Sequence, residues 1–137
     1  LDAGLPFSVH LLFGGPGEAV EDILDTQRFL DSCATPNAVF ALLGIRVYAN
    51  TPIEEIARRE GAIAEDANLF DPVYYVSPGL GNNPIRTLDE IGRKRPEWTT
   101  PTDWSRFTMR LIQRSINYLG IHPQWKNIRN YGKYIRR

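Results

Sequence analysis

The chain has 137 residues, enough for one domain with a real core, and a composition ordinary for a globular protein. No apolar run approaches the length of a membrane span. The single cysteine, Cys33, excludes an intrachain disulfide and a cysteine-only metal site, and two histidines, His10 and His122, give little material for zinc. Net charge is zero, but residues 1–71 carry 4 basic and 12 acidic side chains and residues 72–137 carry 12 basic and 4 acidic. Such a split is expected where a basic segment packs on an acidic one, or on an acidic domain outside this chain; a nucleic-acid or anionic-lipid surface is the less favoured reading.

In chain order, the opening Leu1-Asp2-Ala3-Gly4 has the form of a helix end with its closing glycine, so the chain reads as part of a longer protein. Residues 6–13 alternate as a strand. Phe7, Val9, Leu11 and Phe13 form an apolar face; Ser8, His10, Leu12 and Gly14 form a partly polar one, as suits a barrel lumen. The turn Gly14-Gly15-Pro16-Gly17-Glu18 then leads into a helix over 18–32, with Val20, Ile23, Leu24 and Leu30 as its apolar stripe. A second strand is expected over 38–48, with Val39, Ala41, Leu43, Ile45 and Val47 on one face and Phe40, Leu42, Gly44, Arg46 and Tyr48 on the other. Thr51-Pro52-Ile53-Glu54 has the form of a capping box for a helix that stops at Gly61.

Residues 62–85 read mostly as loop. Thr87-Leu88-Asp89-Glu90 is a second capping box, opening a short helix toward Arg95. Thr100-Pro101-Thr102-Asp103 caps a longer helix with Trp104, Phe107, Leu111, Ile112, Ile116 and Leu119 as its stripe and Gly120 as its end. Residues 123–137 form a further helix or a basic tail. Two parallel strands leave both sheet edges bare, so further strands are expected from upstream sequence.

The glycine turn lacks the Gly-Lys-Ser/Thr of a phosphate loop, and Val20 stands where a dinucleotide fingerprint needs its third small residue. His10, on the polar strand face, is a structural histidine or a lumen contact. Arg46, an arginine in an apolar strand, needs an anionic partner: Glu18 or another carboxylate of the protein, or the carboxylate of a ligand. Tyr48 stacks or hydrogen-bonds beside it. Cys33 reads as a small, half-buried side chain remote from the rim, and Tyr74 and Tyr75 as packing residues.

Four segments in series resemble the radical S-adenosylmethionine enzymes. Phe13-Gly14-Gly15-Pro16-Gly17-Glu18 is similar to the G-x-P-G-E-T turn after that family's fifth strand, with Ala19 in place of Thr. Leu43 to Ile53 resembles the sixth strand and its R-x-Y-x-x-T-x-L exit, Ala57 to Ile63 the A-x-x-E-G-x-I helix end, and Asp71 to Pro78 the P-x-Y-Y-x-S segment. The last is typical of members with an upstream cobalamin-binding domain, including relatives of the anaerobic magnesium-protoporphyrin IX monomethyl ester oxidative cyclase.

The resemblance implies an α/β fold in which residues 1–66 are the last two β/α units of a partial (β/α)6 TIM-like barrel and residues 67–137 a loop and helical C-terminal extension. It implies a cytoplasmic enzyme that reductively cleaves S-adenosylmethionine at a [4Fe–4S] cluster to start radical chemistry on a small-molecule substrate. The C-x-x-x-C-x-x-C cluster motif is absent here, so the cluster, and the cobalamin the class implies, belong to an upstream barrel half and domain of the same protein. The chain alone is expected to be inactive, to hold no cofactor tightly and to self-associate. By position, Phe13, Gly14, Gly15, Leu42, Leu43 and Gly44 would face the adenosyl group. The alternative is a non-enzymatic anion-binding or protein-docking α/β module with a basic helical tail.

Overall fold

A computed structural model describes residues 5–33, 35–105, 107–120 and 123–130; the expected helix end at 1–4 and the basic residues 131–137 lie outside these. The element order is β1 (Ser8–Phe13), α1 (Val20–Cys33), β2 (Ala38–Leu43), β3 (Ile45–Arg46), α2 (Pro52–Arg59), β4 (Tyr74–Tyr75), α3 (Pro84–Lys94), β5 (Trp98–Thr99), α4 (Pro101–Ser105) and α5 (Phe107–Tyr118). Short 3-10 turns cover Pro78–Leu80 and Gln124–Asn127. The fold is mixed α/β. Its main sheet is small and wholly parallel, in the order β1-β2-β5, with Ser8 opposite Ala38, Phe13 opposite Leu43 and Val39 opposite Trp98.

The alternation in β1 and β2 sorts their side chains. Val9, Leu11 and Phe13 meet Val39, Ala41 and Leu43 on one face, where Ile23 of α1, Leu80, Leu88 and Ile91 of α3, and Trp98 close the core. Acidic residues open α1, and the Asp22 carboxylate accepts the Ala19 N–H at 2.7 Å, satisfying a donor that the helix start leaves free.

The expected second strand, 38–48, is two strands. Gly44 has φ +91°, a left-handed conformation that turns the chain out of the parallel sheet. Ile45 and Arg46 then pair antiparallel with Tyr75 and Tyr74. The face assignment for the second strand therefore holds only to Leu43. Val47 leaves the main core for a second one with Ala57, Ile63 and Tyr75. That core seats α2, whose Pro52 start, Glu54 and Glu55 in the first turn, and Arg58 and Arg59 in the last suit the helix dipole. The capping box at Thr51 is not formed as expected. Thr51 donates its hydroxyl to Tyr48 O, and Glu54 accepts the Asn50 N–H, one residue earlier than a capping box requires.

Three further expectations are corrected. α3 begins at Pro84, with the Asn83 side chain accepting the Arg86 N–H at 3.1 Å; Thr87 lies inside the helix and is not its cap. Trp98–Thr99, to which the sequence assigns no element, is the third parallel strand, so β2 is central and both of its edges are paired. Among the described residues the outer edges of β1 and β5 in the main sheet lack a strand. In the last helical region Ile116 is buried, but Leu111 and Leu119 are exposed rather than part of a packed stripe; the side chains of Trp104, Phe107 and Ile112 lie outside the described ones.

The acidic and basic parts do meet. Arg95 forms an ion pair with Asp31, and the Asn37 side-chain amide donates to Lys126 O. At the start of α4 the Asp103 carboxylate accepts the Thr100 N–H at 3.0 Å. The hydroxyls of Thr100 and Thr102 reach the Asp89 carboxylate at 2.6 and 2.8 Å, which ties α4 to α3.

Candidate ligand-binding rim

The C-terminal ends of β1 and β2 lie side by side, and the chain leaves both through glycine. Gly44 N–H donates to Phe13 O at 2.8 Å, and a Cβ on Gly14 would lie 3.3 Å from Gly44 N. A Cβ at that distance would make the neighbouring backbone give by a few tenths of an ångström, and the φ of +101° at Gly14 strains any other residue there.

The glycine loop points two N–H groups, from Gly14 and Gly15, at one spot. Both donate to the same Glu18 carboxylate oxygen, the Gly15 bond at 2.9 Å. Glu18 thus supplies the anion that such a loop invites, from within the chain. It is not the partner of Arg46, one of the two protein-side options open from sequence.

The loop is locked from above. Ser77 N–H donates to Gly14 O at 3.1 Å and the Ser77 hydroxyl to Glu18 O at 2.8 Å. Gly79 passes so close that a Cβ there would lie 2.6 Å from Glu18 O. Residues 77–79 therefore brace the turn.

The six positions assigned to an adenosyl group meet at this rim in two ways. Phe13 is 2% exposed and Leu43 half-buried, and both side chains belong to the helix-covered core. Gly14, Gly15 and Gly44 form the rim backbone. Leu42 lies on the opposite sheet face, 44% exposed, directly across from Leu12, which is 56% exposed. His10 lies two residues back on that face, exposed, its ring stacked on Phe40 at 4.7 Å. Ala38 and Thr99 on the same face are buried, with α4 against β2. The open part of the sheet is thus the end next to the glycine rim.

Arg46 and Tyr48 sit beyond the kink. The Arg46 guanidinium lies over the Tyr48 ring, 4.8 Å from its centroid. Its Nε is screened from solvent and has no hydrogen-bond partner, and Arg46 forms no ion pair among the described residues. A buried donor left unpaired costs about 1–3 kcal/mol. Tyr74, opposite Arg46 in the ladder, is largely exposed. Sequence reasoning took Tyr74 with Tyr75 as packing; the pair divides. Tyr75 is buried and donates its hydroxyl to the Glu60 carboxylate at 2.6 Å, while Tyr74 faces outward beside Arg46. The Tyr-Tyr doublet in a strand, whose neighbours must point to opposite faces, is the signal that could have separated them.

Cys33 is exposed at the end of α1, not half-buried. Among the described residues no group of three or more His, Cys, Asp or Glu side chains could hold a metal ion, and no helix is long and apolar enough to cross a membrane. No family model, curated protein or solved structure matches the chain.

Proposed function

We propose that this chain is the C-terminal part of a cytoplasmic radical S-adenosylmethionine enzyme of the cobalamin-associated class, and that it forms the adenosyl-facing end of a partial (β/α)6 barrel. The reading rests on the series of four motifs and on one structural observation that supports it. Two adjacent parallel strands end at a glycine rim, and the sheet face beside that rim is left open and apolar at Leu12 and Leu42. An adenine ring needs such a surface: apolar side chains to lie against and backbone close enough to touch. The glycine loop suits this role better than phosphate binding, because Glu18 already holds its two N–H donors.

The fit differs between the implied groups. The iron–sulfur cluster does not fit this chain, since three thiolates are needed and Cys33 is the one cysteine. The upstream barrel half would hold the cluster and an upstream domain the cobalamin. S-adenosylmethionine fits in part: Leu42 and Gly44 would meet the adenosyl group, with His10 further along the same face. Bound at the cluster, it supplies a 5′-deoxyadenosyl radical that takes a hydrogen atom from the substrate. In this reading the residues here bind and orient the adenosyl group.

The upstream coding sequence tests the reading at once. A C-x-x-x-C-x-x-C motif about 100 residues before Leu1 is expected, that distance being on the order of the four missing β/α units. A start codon just before Leu1 would reject the proposal.

A further inference from the structure

We infer that Arg46, Tyr48 and Tyr74 form a binding site for a carboxylate carried on a planar, largely apolar small molecule. The inference rests on the reading of the adjoining rim only for which molecule brings the carboxylate; the site itself stands on the geometry of the three side chains.

Arg46 is held by its backbone. It lies in the short β3–β4 ladder directly opposite Tyr74, so the two side chains share a face with their roots in contact range. The Tyr74 Cβ also lies 3.2 Å from where a Cβ on Gly44 would stand, so Tyr74 bridges the kink and the arginine. Tyr48, two residues on, presents its ring to the guanidinium at 4.8 Å. An arginine stacked in this way is oriented before any ligand arrives, and its planar fork matches a carboxylate in two parallel hydrogen bonds.

Among the described residues no anion pairs with this arginine. Glu18, the nearest candidate by sequence argument, is spent on Gly14 and Gly15, and the four ion pairs among the described residues involve other arginines. The Nε without a partner is the second sign. Tyr48 and Tyr74 are each more than half exposed, at 53% and 56%. The exposed Tyr48 ring against the guanidinium, with exposed Tyr74 opposite Arg46 in the ladder, offers stacking area to a flat ligand body, and the guanidinium offers charge to its acid group. A free phosphate or a simple aliphatic acid would use the charge and waste the rings.

Two molecules could bring the carboxylate: S-adenosylmethionine itself, or the substrate. Benzoate, with benzamide as its uncharged twin, is the probe, titrated into the 137-residue chain while the backbone N–H of Tyr74, which every variant keeps, is followed by NMR. Benzoate is expected to shift that resonance saturably and benzamide to leave it unmoved. Arg46→Met should abolish saturation, and Arg46→Lys and Tyr48→Leu should each weaken binding, the lysine by about tenfold because it cannot form the fork. If Arg46→Met disturbs folding, Arg46→Lys and Tyr48→Leu carry the test, judged folded by the rest of the spectrum. No saturable shift, an equal response to benzamide, or unchanged affinity in all variants would overturn the inference. Competition by S-adenosylmethionine assigns the site to that molecule, and its absence assigns it to the substrate; benzoate binding stands in either case. The proposed enzyme class can fail on its upstream sequence while this titration succeeds.

Discussion

Two residues do work out of proportion to their size, and each makes a prediction. Glu18 satisfies two backbone donors of the rim, so Glu18→Ala should destabilise the chain by about 1–3 kcal/mol in denaturant titration, and Glu18→Gln, which keeps an acceptor, by less. Gly79 passes 2.6 Å from a carbonyl oxygen in the sense that a Cβ there would touch it. The obstacle is the Glu18 backbone, which cannot turn aside as a side chain would, so Gly79→Ala should cost about 1–3 kcal/mol by overpacking and loosen the brace on the rim. Glu18 was legible as an acidic residue at a helix start. Its reach back across the loop was not, because sequence spacing does not say which way a glutamate side chain turns when two N–H groups converge nearby.

At the scale of elements, the helix and strand periods carried the reading through β1, α1, the first half of the second strand and α2, where each element is long enough for its pattern to repeat. They failed where an element is too short or a single residue redirects it. Gly44 alone converts one strand into two, and nothing in the alternation of its neighbours marks that. β5 is two residues, both buried, and offers no alternation at all. The start of α3 was available and overlooked: Asn83-Pro84 is an N-cap followed by proline at the first helical position, a stronger signal than Thr87.

Two ties between elements set opposite pH limits. Tyr75 has its pKa raised, first by burial and then by its hydrogen bond to Glu60. A raised acid is stabilising while protonated, so this contribution is complete at neutral pH and is lost as pH rises above about 10. Tyr75→Phe should lower stability at pH 7 and flatten the alkaline limb in pH-dependent unfolding. Asp31 is the reverse. The hydrogen bond from Arg95 holds its carboxyl below the usual range, so its contribution is present above about pH 4 and is lost as pH falls further. The pair is partly exposed, so Asp31→Asn should cost less than about 1 kcal/mol at pH 7 and make the acid limb shallower.

For the whole molecule, the sheet is small and carries its apolar surplus on one side. The helices cover the face of Phe13, Val39 and Ala41, and the opposite face stays open at Leu12 and Leu42. With the outer edge of β1 also unpaired among the described residues, the isolated chain should associate in a concentration-dependent way in sedimentation. Leu12→Glu should suppress that association without unfolding the chain, because Leu12 lies outside both cores. A strict monomer at high concentration would show that face and edge need no partner. The same open face is the reason to place this chain inside a larger barrel.

The direct measure of the proposed placement is product formation by a whole protein carrying the upstream segment that the proposal requires. Reconstituted anaerobically with iron and sulfide, reduced and given S-adenosylmethionine, it should release 5′-deoxyadenosine. A protein that carries its cluster and binds S-adenosylmethionine yet forms no 5′-deoxyadenosine would contradict the account.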